Sequence, residues 1–508
     1  MRLHATPQFT AVRVVAGCVL PAVLIVGCAT APPRSVRGVP STSAAPGRSW
    51  TAPADAAAPL TAAERNLATR GASAVTIPSD IATRLPSLTL TDVVDLALGN
   101  SPATRFSWAQ ARAAAAAYGA ANGRYLPTVS AEIVGGPARA ISANPARLPA
   151  DRRTLVPSIS LQYLLFDFGS RSGASRAARE ALYAADFTHN AAVQDVLLQT
   201  QQAYFQYQAA RGVLEGALAT VVTARQNFAA AERRHEVGVA TVADELQART
   251  AVAQAELAAQ GADGALQAAR AQLAQAMGID ANRPFDVASD TSAFPLRELA
   301  ENVDTLIARA ERDRPDLAAA RASVRQSEAQ IAVARSATLP ALTVGTTAGR
   351  NFANVPALAG QTYALTLGVQ IPLFSGNARQ YDVIAARETA ASFAARAELA
   401  RVQSAAQVYA SYHTLRTAAQ RVTTSQTLLG TATQSEQVAR GRYAEGVGSI
   451  LDVLLAQTAL ADARAQAVTA RWTWFSALAQ LSRDAGALTP SGASALRFSP
   501  DTSRGTSR

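Results

Sequence analysis

The sequence repeats itself, and that constrains the fold more than any single motif does. Leu126-Pro127 returns as Leu339-Pro340 and Pro102 as Pro315, both at the same interval along the chain. Further along, Phe166-Asp167 aligns with Phe374-Ser375, Ala178-Arg179-Glu180 with Ala386-Arg387-Glu388, Gly238-Val239 with Gly446-Val447, Asp244 with Asp452, Thr250 with Thr458 and Gly278 with Gly486. These pairs share a second, slightly shorter interval. One change of length between Pro127 and Phe166 reconciles the two. The body is therefore one unit written twice.

Each copy runs in the same order. A helical stretch of about 22 residues (103–124 and 316–337) ends at Leu-Pro, two alternating segments follow, and two very long helical stretches close the unit, separated by a short glycine-containing break. The stretch from Gly169-Ser170 to His235 contains no proline, and Val193, Val196, Leu197, Ala203, Tyr204 and Tyr207 recur along it at helical spacing. Such a stretch is a rod of about 100 Å. In the last arm Leu454, Thr458, Ala461, Ala465, Val468, Trp472, Phe475 and Ala479 alternate by four and three, the seam of a coiled coil. The aromatic residues in these arms read as packing rather than as a cofactor box.

The alternating segments point to lipid. Tyr363, Leu365, Leu367, Val369 and Ile371 share one face, with Thr362, Ala364, Thr366, Gly368 and Gln370 on the other. The first copy sets Ile159, Leu161, Tyr163 and Leu165 against Ser158, Ser160, Gln162 and Leu164, and Val129-Ala131-Ile133 and Leu342-Val344 are weaker partners of the same period. About ten residues with one apolar and one small or polar face suit a transmembrane barrel strand; a half-buried hairpin is the alternative. Two hairpins supply four strands, which cannot close a barrel. Open edges are not tolerated in hydrocarbon, so the chain must oligomerise.

The N-terminus is an address. Arg2 and Arg13 precede an apolar run from Val14 to Val26, the length of a signal core and too short to span a bilayer. It ends Leu24-Ile25-Val26-Gly27-Cys28, which resembles the bacterial lipoprotein box, with cleavage before Cys28 and lipid on its thiol and amine; a plain secretory signal is the alternative. Ala29 in the next position implies the outer membrane by the rule for such lipoproteins. Cys18 fits the same box less well. The only other composition that matters is charge: a formal net charge of +10 comes from arginines scattered among acids, with no lysine and no basic stripe, which argues against nucleic acid.

Taken together, the twofold helix–hairpin–helix plan, the junctions Phe166-Asp167-Phe168-Gly169 and Leu373-Phe374-Ser375-Gly376, and the helix-turn segments 233–244 and 441–453 resemble the TolC-like outer membrane efflux proteins. The resemblance covers about residues 88–485. It implies a mainly α fold with a membrane β-barrel: a homotrimer whose 12-stranded barrel, four strands per chain, continues into a long periplasmic α-helical coiled-coil barrel. It also implies two partners, a periplasmic adaptor and an inner-membrane pump driven by protons. The boundaries expected are a signal peptide at 1–27, a lipidated tether at 28–87, a first repeat at 88–280 (hairpin about 127–166, long helices about 170–235 and 240–277), a linker at 281–302, a second repeat at 303–485 (hairpin about 340–374, long helices about 377–443 and 448–484) and a tail at 486–508.

The resemblance places the working residues at the helix tips. Val237, Gly238, Val239, Ala240, Glu445, Gly446, Val447 and Gly448 would be the loops that meet the adaptor. Asp244 and Asp452 would each form a ring of three carboxylates, a cation-favouring mouth; alternatively they serve only the helix dipole. Asp244 could instead accept a bond from Tyr443 in a closed latch. Leu455 stands where family members can have a second acid, and Gly448 where a basic latch residue can occur, which implies a more apolar gate. No catalytic constellation, metal cluster or nucleotide loop is present in the sequence, so neither cofactor nor enzyme activity is expected. A type I protein secretion duct and a lipid-anchored coiled-coil scaffold are the other readings.

Overall fold

A computed structural model describes residues 77–140, 150–288 and 301–488. The leader, Cys28, most of the tether and the tail beyond Leu488 lie outside the described residues. The first copy comprises α1 (Leu90–Asn100), α2 (Pro102–Gly123), β1 (Thr128–Ala140), β2 (Ala150–Phe166), α3 (Ser170–Glu236) and α4 (Val242–Met277). The second comprises α5 (Val303–Asp313), α6 (Pro315–Ser336), β3 (Ala341–Ala353), β4 (Gly360–Gln370), α7 (Ala378–Ala444) and α8 (Ile450–Asp484). The starts of α5, α6 and β3 follow those of α1, α2 and β1 at the longer interval of the repeat, and α7 and α8 follow α3 and α4 at the shorter one. The duplication is thus a duplication of structure.

Local chemistry sets the boundaries. The Ser101 hydroxyl accepts from the Ala103 and Thr104 amides and Pro102 opens α2, a start at which the missing proline N–H costs nothing. Downstream, Pro127 and Pro340 bias the residue before them toward extended backbone, and the strands begin there. Helices α3 and α7 are 67 residues each, about 100 Å at 1.5 Å per residue.

The coiled-coil seam expected on α8 turns out to be one of two. Val453, Ala456, Leu460, Ala463, Trp474, Ala477 and Leu481 are buried on α8. They face Ser404, Val408, Ser411, Leu415, Ala418, Val422, Ser425, Ala432 and Glu436 of α7, which recur by four and three. Val468, Trp472 and Ala479 of the expected seam pack instead toward α3, and Phe475 touches both clusters. There Phe205 stacks on Trp472 and Phe475 with ring centroids at 6.0 and 5.4 Å. Thr458 of that seam is exposed. A helix within a wall has a neighbour on each side and so carries two seams, which one heptad reading cannot separate.

The strands form a single antiparallel sheet in the order β1-β2-β3-β4. Pairing of β2 with β3 fuses the two hairpins. Register aligns the apolar residues in rows: Val129, Leu161, Thr346 and Leu365 in one, Ala131, Ile159, Ala348 and Tyr363 in the next. The intervening rows, Ser130-Ser160-Thr347-Ala364 and Glu132-Ser158-Gly349-Thr362, face the other way, with the Ser130 and Ser160 hydroxyls 2.7 Å apart. Tyr363 and Leu365 are 90% and 78% exposed, so the apolar face has no protein cover in the described chain. Among the described residues no helix is long and apolar enough to cross a membrane, and β1 and β4 leave two unpaired edges.

Candidate functional site at the helix tips

Both rods end on the same backbone device. Gly238 and Gly446 take φ of 77° and 76° just past α3 and α7, a conformation that costs a residue with a Cβ about 1–2 kcal/mol. Positive φ lets the chain fold back on the last helical turn. The Gly238 amide donates to the His235 carbonyl at 2.9 Å and the Val239 amide to that of Arg234 at 2.9 Å; Gly446 and Val447 repeat this toward Tyr443 (3.2 Å) and Arg442 (2.9 Å). Gly448 is also set by space, since a Cβ there would stand 3.1 Å from the Arg442 Cβ. The turns leave Val237, Val239 and Val447 at 72%, 65% and 68% exposure, with Glu445 exposed and Ala240 half-buried beside them.

Each reversal hands over to the next helix through a capping box. The Thr241 amide and hydroxyl both donate to Asp244 Oδ2 at 2.9 Å, while the Asp244 amide donates to Thr241 Oγ1 at 3.2 Å. Ser449 and Asp452 do the same at 3.2 and 3.1 Å. Both aspartates therefore stabilise the first turns of α4 and α8. The backbone N–H and hydroxyl of Ser449, and then the charge of Arg442, hold the Asp452 carboxyl below the usual carboxylate range, so it is ionised at neutral pH. Asp452 and Leu455 line one groove between α7 and α8, together with Arg442 and Val438. Leu455 is 62% exposed.

Within the chain, Asp244 bonds Thr241, and Tyr443 has another neighbour. The Arg234 guanidinium lies 4.6 Å over the Tyr443 ring, and its Nη1 donates to the Tyr443 carbonyl at 2.9 Å. This contact ties the end of α3 to the end of α7; among the described residues the buried Tyr443 hydroxyl has no hydrogen-bond partner. Sequence reasoning did not single out Arg234. Its only sequence signal is the repeat itself, which aligns Arg234 with Arg442 just as it aligns Gly238 with Gly446.

Known chains share this arrangement. Residues 93–279 and 306–487 match the family described as outer membrane efflux protein. The starts of the two matched stretches are offset by the longer interval of the repeat and their ends by the shorter one. Protein CyaE of Bordetella pertussis is 33% identical over 387 residues, 75% of this chain and 81% of that one. Outer membrane protein OprJ of Pseudomonas aeruginosa is 26% identical over 385 residues, 72% of this chain and 77% of its own length. The CmeC outer membrane channel of Campylobacter jejuni has the same fold, with a TM-score of 0.72 at 19% identity over 82% of this chain and 88% of that one. Outward apolar strands, paired rods with capped reversals and a twofold family match place this chain in the outer membrane efflux protein family, as a channel protein of the outer membrane.

Proposed function

We propose that three copies of the chain form the passive outer-membrane duct of a tripartite export assembly, carrying small toxic molecules delivered by an inner-membrane pump through a periplasmic adaptor. The observation that carries this is the sheet: four strands with an uncovered apolar face and two unpaired edges. Pairing β4 of one copy with β1 of the next gives twelve strands after three copies, enough to close a barrel around a water-filled lumen lined by the serine, threonine and glycine rows. The long helices continue the tube, the exposed valines of the reversals dock the adaptor, and Cys28 carries the lipid anchor.

The wild-type strain and a strain lacking this chain provide the test. Loss of the chain is expected to raise intracellular accumulation of a fluorescent dye several-fold and leave the secreted proteome unchanged. Loss of a secreted protein with unchanged dye accumulation would assign the duct to type I secretion instead.

In this duct Asp452 supplies a ring of three negative charges at the groove it shares with Leu455. Asp452→Asn, which keeps a side chain able to hydrogen-bond Ser449, should reduce the cation preference of the assembled channel in a planar bilayer. Asp452→Ala should do the same and also remove the side-chain half of the capping box that opens α8. Unchanged selectivity in both would remove Asp452 from the pore.

A further inference from the structure

The outward face of the sheet ends in a feature that hydrocarbon does not require. On β2, Tyr163, Leu161, Ile159, Pro157 and Leu155 face outward in succession, and past the register shift after Leu164 the face is continued by Phe166, opposite Leu342. They span about 34 Å along the strand, or about 26 Å along the membrane normal at a tilt of about 40°. That is the height of the apolar band of an outer-membrane barrel. The next outward residue is Arg153, just past the band at the strand end away from the helices. On the neighbouring strand Arg350 and Phe352 face the same way, and the Arg350 guanidinium rests 5.1 Å over the Phe352 ring, which carries its charge toward the rim.

A concavity opens at this rim, lined by Pro137, Arg153, Leu155, Phe352 and Asn354 among others. Among the described residues neither Arg153 nor Arg350 has an acidic partner, whereas the next outward arginine, Arg139, is paired with Asp151 at 3.7 Å. Both free arginines stand on β2 and β3, the central strands of the sheet. The patch is therefore complete within one chain and stays on the outside however the edges of β1 and β4 are closed.

We propose that this rim binds a phosphorylated glycolipid of the outer leaflet, with acyl chains against Leu155, Phe352 and Pro137 and headgroup phosphates on Arg153 and Arg350. Guanidinium groups match phosphate oxygens in pairs, which an ammonium does not. Spacing selects the headgroup. The Asn354 amide donates to the Arg153 carbonyl at 3.1 Å across the ladder, so Arg350 stands four residues further down β3, about 14 Å along the strand. The stacking of Arg350 over Phe352 brings its guanidinium back toward the rim, so the two charges stand closer than their backbones, at different heights on the strand, and reach two phosphates of one headgroup. The inference needs the outer-membrane placement of the chain and is independent of its cargo.

The test uses the assembled full-length protein in nanodiscs, read by native mass spectrometry with three probes: diphosphoryl lipid A, monophosphoryl lipid A and phosphatidylglycerol. The wild-type protein is expected to retain the diphosphoryl probe on the order of tenfold better than phosphatidylglycerol, with the monophosphoryl form between them. Arg153→Gln/Arg350→Gln should lose that preference about tenfold. Arg152→Gln, on the adjacent residue that faces the other side of the sheet, should keep it. Equal retention of the three lipids by the wild-type protein, a readout that needs no variant to fold, would overturn the proposal. So would an unchanged preference in the double variant, since arginines that merely reach the interface do not discriminate among anionic lipids.

Discussion

Leu365→Arg should prevent a stable channel from forming. Leu365 lies in the row with Val129, Leu161 and Thr346, near the middle of the outward apolar band. An arginine at the bilayer midplane of a barrel costs about 2–4 kcal/mol. In the proposed three-copy assembly each copy carries the penalty, so the loss is roughly three times that amount. Its neighbour Thr366 faces the opposite way and aligns with Gly345, so Thr366→Arg should leave stability within about 1 kcal/mol of wild type and change conductance instead. Equilibrium unfolding by guanidinium in phospholipid vesicles measures the first effect and single-channel recording the second. Equal stabilities for the two variants would mean that the faces of the sheet are wrongly assigned.

Arg314→Met should be the most damaging single change among the helices. Arg314 is 3% exposed and joins three elements. Its Nε and Nη2 donate to the Asp316 carboxylate at 3.0 and 2.6 Å, Nη2 also reaches Gln407 Oε1 of α7 at 2.9 Å, and Nη1 donates to the carbonyl of Asp484 at the end of α8 at 3.3 Å. Removing one partner of a buried ion pair costs about 3–5 kcal/mol, because the other is left uncompensated. Asp316 keeps 40% of its side chain exposed, which places the expected loss near the lower end, about 3 kcal/mol.

The acid response of this joint has a definite sign. Burial pushes the Asp316 carboxyl up, but the hydrogen bonds and charge of Arg314, with Arg483 behind them, outweigh it and hold the carboxyl below its usual range. A depressed carboxyl contributes stability that is complete above its unfolded-state value and lost as pH falls through its folded-state value. Thermal unfolding across an acid series should therefore show this contribution in the wild-type protein and not in Arg314→Met. Arg314→Met/Asp316→Asn should recover much of the loss at neutral pH, since it removes both charges together.

Much of the fold was legible in the chain, and the reason is particular to it. The repeat compares the sequence with itself, so markers such as Pro102 and Pro315 or Gly238 and Gly446 needed no other protein to give the element order. The alternation through Tyr363, Leu365, Leu367 and Val369 reads as a two-faced strand because side-chain direction in a strand depends only on parity. The heptad on α8 was legible as a period but not as a partner. Val468 and Trp472 satisfy the same spacing as Leu460 and Trp474, and spacing alone does not say which set meets α7 and which meets α3.

At the tips, the positions of the glycine turns and the aspartates follow from local sequence; the capping boxes that engage Asp244 and Asp452 emerged only in the structure, although their partners Thr241 and Ser449 lie three residues away. The Arg234–Tyr443 contact does not follow from local sequence, since it joins two residues from different copies of the repeat. The β2–β3 pairing that fuses the hairpins and the rim where Arg153 and Phe352 meet have the same origin. By itself the sequence determined the order, length and two-sidedness of the elements, because these depend on residues within a turn or a strand of one another. Only the tertiary structure decided which faces meet, because packing selects among seams and edges that local periodicity leaves equivalent.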